Sequence, residues 1–317
     1  MIVSALIFGV ALNSCDKNDQ KVEEEIVGIE DITLENYPKV DGSTSSSVLN
    51  VMVACKLLGL SYEWYNMLGL GEWNLSPVWE GISEEYKSDF WEHVKTSQTH
   101  GAFMNLINGE VDIILTHRTI SPDEKAHAIT KGVTLIETPI ALDAFVFIVN
   151  NNNKVNSLTI EQIQQIYTGD LTNWAQVGGN NADINVFTRP RNSGSEEIFR
   201  TLVMNGLEPA SFPEEPINPM AGVFREVRTD ANGICYTFNN YKDMRARVPD
   251  SEVPKIAINN IFPDNNTIRN RTYPFISEVH VAIRSDLNHN SMAYKLYEWL
   301  QTETVKPILT ECGFIPK

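Results

Sequence analysis

The sequence predicts an α/β fold divided into two lobes around mostly parallel sheets. Two observations carry this. At 317 residues with 42% hydrophobic content, the chain is longer than a single core usually serves, so two lobes are expected. From about Val40 onward, short β-rich runs alternate with helical patterns, the signature of α/β units, and no internal repeat is evident.

The N-terminus reads Met1-Ile-Val-Ser-Ala-Leu-Ile-Phe-Gly-Val-Ala-Leu-Asn-Ser-Cys15. Its apolar run is shorter than the roughly 20 residues a spanning helix needs. Residues 1–14 match the apolar core of a signal peptide, although no Lys or Arg precedes it. Leu12-Asn13-Ser14-Cys15 resembles a bacterial lipobox, in which Cys15 is lipidated and becomes the first mature residue; the alternative is an ordinary secretory segment with an incidental cysteine. Residues 15–37 read as a tether, because 16–25 is acidic and too poor in apolar groups to fold alone. The expected location is periplasmic or on the cell surface, with the lipid as the only membrane contact. Cys55, Cys235 and Cys312 lie in apolar contexts without metal-ligand spacing and read as buried thiols, a Cys235–Cys312 disulfide being the other possibility.

Each element then follows in order. A first helix starts within 45–47, since Val48, Val51, Met52, Cys55 and Leu58 form one apolar stripe. The aromatic-rich stretch 60–89, with Trp64, Trp73 and Trp79, reads as a helical hairpin or a covering loop. Residues 111–116 form a buried strand. Ser121-Pro122-Asp123-Glu124 then gives an N-cap, a proline at the first helical position and a capping-box glutamate, for a helix ending at Gly132. Strands are expected at 134–137 and 144–150, and a helix opens at 157–162 and stops at Gly169. A strand at 184–188 runs into a helix beginning near Ser193. Residues 233–238, 255–258 and 279–284 are further strands, and one long helix is expected over 291–309.

Three segments share one design: hydroxyls and glycine stand directly ahead of a helix. They are Asp41-Gly42-Ser43-Thr44-Ser45-Ser46, Thr96-Ser97-Gln98-Thr99-His100-Gly101, and Arg189-Pro190-Arg191-Asn192-Ser193-Gly194-Ser195. A helix N-terminus presents unpaired N–H groups and partial positive charge, so anions are stabilised there. Arg189 adds a forked, charged contact. Taken singly each segment is an ordinary N-cap; together they suggest an anion cradle. His100 and His117, each beside such a turn, are candidate donors.

These segments, in this order, resemble the phosphate-binding receptors of bacterial ABC transporters, within the type II periplasmic binding proteins. The likeness runs from about Asp41 to the C-terminus. It includes Leu106-Ile-Asn-Gly-Glu-Val-Asp-Ile-Ile-Leu, the stretch from Val155 through Ile166-Tyr-Thr-Gly169 to Thr172-Asn-Trp174, Gly233-Ile-Cys-Tyr236, Tyr273-Pro274 and Cys312-Gly313-Phe314-Ile315-Pro316. The resemblance implies two Rossmann-like lobes with mixed, mostly parallel sheets joined by crossing strands. Residues 38–141 plus 273–317 would form lobe 1, and 142–272 lobe 2. It implies anion contacts from Thr44, Ser45 and Ser46, from Thr99, and from Arg189, Ser193, Gly194 and Ser195. It also implies a monomer that delivers phosphate to an ABC transporter permease. One departure stands out. The family's receptors often carry an aspartate just after the strand ending near Thr116, where it accepts the proton of hydrogen phosphate; here the residues are Thr116-His117-Arg118. Asp41 and Glu196 are the nearest substitutes, and neither is at the matching place.

The charge balance, 25 basic against 41 acidic residues for a net −16, argues against a nucleic-acid binder. No Gly-x-Ser-x-Gly elbow, phosphate-binding Walker loop, His-Glu-x-x-His or zinc-spaced cysteine pair occurs, so no enzyme activity, metal or cofactor is expected. The alternatives kept open are another oxyanion or a phosphorylated metabolite on the same fold, a sensor of such a ligand, and a phosphatase-type enzyme.

Overall fold

The computed structural model describes residues 28–66, 72–218 and 220–317. The expected signal peptide 1–14 and lipid anchor Cys15 lie outside the described residues. Residues 28–37, expected as part of the tether, are folded in part: Leu34 and Tyr37 are buried in the core of lobe 1.

One sheet runs through both lobes, in the order Val40–Gly42, Ile113–Thr116, Ile276–Arg284, Leu135–Val149, Gly233–Phe238 and Asn185–Val186, with Ile315–Pro316 pairing beside Leu135–Val149. The outer pairs, Val40–Gly42 with Ile113–Thr116 and Asn185–Val186 with Gly233–Phe238, are parallel, as α/β units require. The strands that cross between lobes add antiparallel pairs to them, so the sheet is mixed.

Leu135–Val149 is a single strand where the sequence pattern suggested two. Of its first ten residues all but Ile140 pair with Ile276–Arg284, and its last five pair with Gly233–Phe238, so it belongs to both lobes. Pro139 does not end it, because the register shifts between Val279 and His280 opposite the proline, which has no N–H to give to the ladder. The two main packed cores divide at this strand. Ile140 and Ala141 pack with Met52, Phe90, Leu296 and Leu309. From Leu142 onward the strand packs with Tyr167, Trp174, Phe199 and Tyr236.

Two further expectations change. The aromatic stretch forms an antiparallel hairpin, Tyr62–Asn66 with Trp73–Pro77, followed by the helix Glu84–His93. Trp64 and Trp73 pack on a cation: the Arg247 guanidinium sits 4.7 Å and 4.3 Å from their rings. The expected long helix is interrupted, giving Met292–Trp299, the 3-10 turn Glu303–Val305 and Lys306–Glu311. Pro307 lacks an N–H and its ring opposes the carbonyl four residues earlier, so the chain restarts there with proline in the first turn. Cys55, Cys235 and Cys312 are buried free thiols.

Asp41 holds the first strand to the next helix start. Its buried carboxylate accepts hydrogen bonds from the N–H of Gly42 (2.7 Å) and of Ser97 (2.8 Å) and from the Asn105 amide (2.8 Å). Removing it strands three donors inside the lobe. Asp41→Ala should therefore lower the unfolding free energy by roughly 2–4 kcal/mol, measured by urea denaturation; an unchanged midpoint would contradict this anchoring role.

Candidate functional site

The helix starts predicted from sequence converge on one cavity of about 510 Å³ between the lobes. From lobe 1, Gly42 ends its strand so close to the neighbouring one that a Cβ would lie 2.7 Å from the Leu115 carbonyl. The chain turns there, capped by Ser43, into Thr44–Ser46 and the helix Ser47–Leu58. Thr44 and Ser45 line the cavity. The second start enters Gln98–Asn108 through Gln98, whose φ of 62° lies in the left-handed region; such strained residues concentrate at functional sites. Thr99 and His100 follow it into the cavity wall.

From lobe 2, Asn192 also has a left-handed φ, 69°, and Ser193 caps the short helix Gly194–Ile198, which continues as the π-helical turn Phe199–Met204. Arg189, Ser193, Gly194 and Ser195 all line the cavity. The Arg189 side chain is buried, with Nε donating to Ser195 Oγ at 3.3 Å and Nη1 donating to the carbonyls of Ile217 and Asn218. Burial lowers its pKa from the usual arginine value, opposed by Cys235, Tyr236, Tyr241 and Glu196; arginine stays charged under such a shift. Gly194 faces Thr99 across the cleft so closely that a Cβ would overlap the Thr99 Oγ1. The lobes thus meet over the cavity.

Not every candidate faces the cavity. Ser46 points away: its hydroxyl donates to the Leu115 carbonyl at 2.6 Å, and the residue is fully buried. Asp41 is spent on the three donors described above. Glu196 turns to Arg200 at 2.7 Å and accepts from the Tyr236 hydroxyl. His100 lines the wall, with Nδ1 donating to buried Glu124 at 2.9 Å. His117 stands behind Ser45, its Nδ1 2.8 Å from Ser45 Oγ.

Sequence reasoning missed Glu72, Arg245 and Asp143. Buried Arg245 reaches from lobe 2 to the Thr44 carbonyl (2.5 Å), Ser47 Oγ (2.7 Å) and Glu72 Oε1 (2.6 Å), fastening the turn Thr44–Ser46 to the opposite lobe. Nothing local signals a contact across some two hundred residues. Asp143 did leave a signal, a lone carboxylate in the apolar run Ala141-Leu-Asp-Ala-Phe-Val. Among the described residues no group of three or more His, Cys, Asp or Glu is arranged to hold a metal ion.

The chain is 26% identical over 259 residues to Protein SphX of Synechococcus elongatus, covering 78% of this chain and 76% of the relative. It is 24% identical over 251 residues to the phosphate-binding protein PstS of Borreliella burgdorferi, covering 77% and 88%. Its fold matches an ABC-type phosphate transport receptor from Vibrio cholerae with a TM-score of 0.59 at 24% identity, over 90% of this chain and 100% of that one. It also matches the high-affinity periplasmic phosphate-binding protein PfluDING, with a TM-score of 0.57 at 12% identity over 88% and 90%. The model of a PBP superfamily domain matches residues 75–304, well over half of the chain, and the chain therefore belongs to the PBP superfamily.

Proposed function

We propose that this protein is an extracytoplasmic receptor that captures inorganic phosphate between its two lobes and presents it to an ABC transporter permease. The observation that carries the reading is the convergence of three helix starts and buried Arg189 on one interlobe cavity. The contacts are assigned to Thr44, Ser45 and Thr99 from lobe 1 and to Arg189, Ser193, Gly194 and Ser195 from lobe 2. A chain of net charge −16 holds an anion in this way because hydroxyls, helix N–H groups and one guanidinium dominate at contact distance, while the acidic surface is screened by solvent.

Ligand binding selects the closed arrangement through contacts from both sides, with the strand Leu135–Val149 as a crossing segment. Export through residues 1–14 and anchoring through a lipid on Cys15 complete the proposal, with the receptor acting as a monomer. A second reading, a phosphorylated metabolite, is favoured by the cavity volume of about 510 Å³, which exceeds what one small anion fills.

Calorimetry with phosphate, sulfate, molybdate and phosphomonoesters separates these. Phosphate should bind preferentially with micromolar or tighter affinity, and Arg189→Ala should weaken it at least about 100-fold without unfolding the protein. Tighter binding of a phosphomonoester supports the second reading. No stabilisation by millimolar phosphate rejects the first, and turnover of a generic phosphomonoester would replace receptor with enzyme.

Closure has its own test. Gly194→Ala inserts a methyl group where Thr99 Oγ1 sits, so it should cost on the order of 10- to 100-fold in phosphate affinity by disfavouring the closed state. Thr99→Ser alongside it should not recover the loss, because the same Oγ remains. Full affinity in Gly194→Ala would show that the ligand does not need this contact.

A further inference from the structure

Behind the cavity wall, Ser45, His117 and Asp143 form a buried chain. Ser45 Oγ lies 2.8 Å from His117 Nδ1, and His117 Nε2 lies 3.4 Å from Asp143 Oδ2. The three residues are 4%, 2% and 3% exposed. Among the described residues neither His117 Nε2 nor Asp143 Oδ2 makes a hydrogen bond; the two buried atoms face one another across 3.4 Å as an electrostatic contact. Asp143 Oδ1 is already occupied by the N–H groups of Ala144 (2.8 Å) and Asn240 (3.0 Å).

The proton positions follow from which ends can only accept. Facing a carboxylate oxygen, neutral His117 keeps its proton on Nε2 and leaves Nδ1 as an acceptor. Ser45 then donates its hydroxyl hydrogen to Nδ1. On the other side Ser46 donates to the Leu115 carbonyl, and Ser43 Oγ, 3.0 Å from Ser45 Oγ and 2.8 Å from Ser46 Oγ, donates to one of them. No hydroxyl hydrogen of this serine cluster is left for the cavity. What Ser45 offers a ligand is a lone pair.

We infer that Ser45, positioned by His117 and Asp143, accepts the hydrogen bond of a ligand P–OH group, so that the site selects monohydrogen phosphate against fully deprotonated anions. The inference rests on the phosphate reading above and supplies an acceptor where the resemblance led one to expect an aspartate. Arg189, Thr99 and the helix N–H groups are donors suited to any oxyanion. A sulfate or phosphomonoester dianion has no proton for Ser45 and would set lone pair against lone pair; sites built around one hydrogen bond reject analogues lacking it. With the imidazole proton on Nδ1 the chain reverses. Nδ1–H then donates to Ser45, whose hydrogen turns to the cavity, and the discrimination is lost.

The other titratable groups around His117 come from several elements. Arg118, next in sequence, is committed to Glu124 by two bonds of 2.7 Å. His280 and Glu278 lie on the neighbouring strand, and Glu197 and Arg271 line the adjoining cavity. Burial lowers the His280 pKa from the usual histidine range, with Glu278 opposing. Phe238 and Phe314 cover the His117 ring, at 4.6 Å and 5.3 Å. Across the ligand cavity, His100 is the competing titratable group.

The test is calorimetry with phosphate and with sulfate at about pH 8, on the wild type, Asp143→Asn, His117→Gln and, as control, His100→Gln. The wild type should bind sulfate on the order of 100-fold more weakly than phosphate. In Asp143→Asn the two backbone donors hold the amide oxygen, so the amide N–H faces His117 Nε2 and moves the imidazole proton to Nδ1. Sulfate should then bind on the order of 10- to 100-fold more tightly. His117→Gln should likewise relax the phosphate-to-sulfate ratio, and His100→Gln should keep it.

An unaltered phosphate-to-sulfate ratio in folded Asp143→Asn and His117→Gln overturns the inference, as does an equal relaxation of that ratio in His100→Gln. Should both buried variants unfold, nitrogen-15 NMR of the wild type decides: His117 protonated on Nε2 and bare on Nδ1 supports the inference, and the opposite tautomer overturns it. A wild type that binds neither anion instead contradicts the receptor reading.

Discussion

Asp143 is the constraint on which the arrangement turns. A carboxylate inside a strand buried on both faces needs partners: its Oδ1 takes the N–H groups of Ala144 in the crossing strand and of Asn240 in lobe 2, and its Oδ2 faces His117 at the end of a lobe 1 strand across 3.4 Å. These contacts tie lobe 2 to the crossing strand and set the carboxylate beside His117. Ser45 is then held by His117. The crossing strand and the cavity wall are thereby linked through one run of buried polar side chains.

Asp41 does similar work inside lobe 1. It gathers the N–H of Ser97 and the Asn105 amide, so the first two helix starts share one buried acceptor and are placed together before any ligand arrives. Arg245 performs the complementary task between lobes, taking the Thr44 carbonyl and Glu72. Carboxylates and guanidiniums are used as internal fasteners, while the cavity-facing contacts are mostly neutral donors plus Arg189. That division lets an acidic protein accommodate an anion without neutralising its surface.

The α/β class, most strand positions and the capped helix starts were legible because each rests on local chemistry: apolar periodicity, Ser121-Pro122, Ser193, and the glycines at 132 and 169. The hydroxyl clusters and Arg189 were legible for the same reason. What escaped was non-local. The fusion of two expected strands into Leu135–Val149 depends on pairing with residues 276–284, and the tryptophan hairpin depends on Arg247 from the other lobe. Ser46 looked like Ser45 in sequence; only the position of the Leu115 carbonyl turns its hydroxyl away from the cavity. His117 stood out as a departure from a familiar pattern, but its partner Asp143 lies 26 residues further on, in an apolar strand.

The central claim is that both lobes contribute donors to one enclosed anion. A crystal structure of the chain grown with phosphate tests it most directly. The account predicts phosphate in the interlobe cavity, bonded to Ser45 and Thr99 on one side and to Arg189 and the Ser193–Ser195 turn on the other. Phosphate absent from that cavity at saturating concentration, or held by one lobe alone, would contradict it.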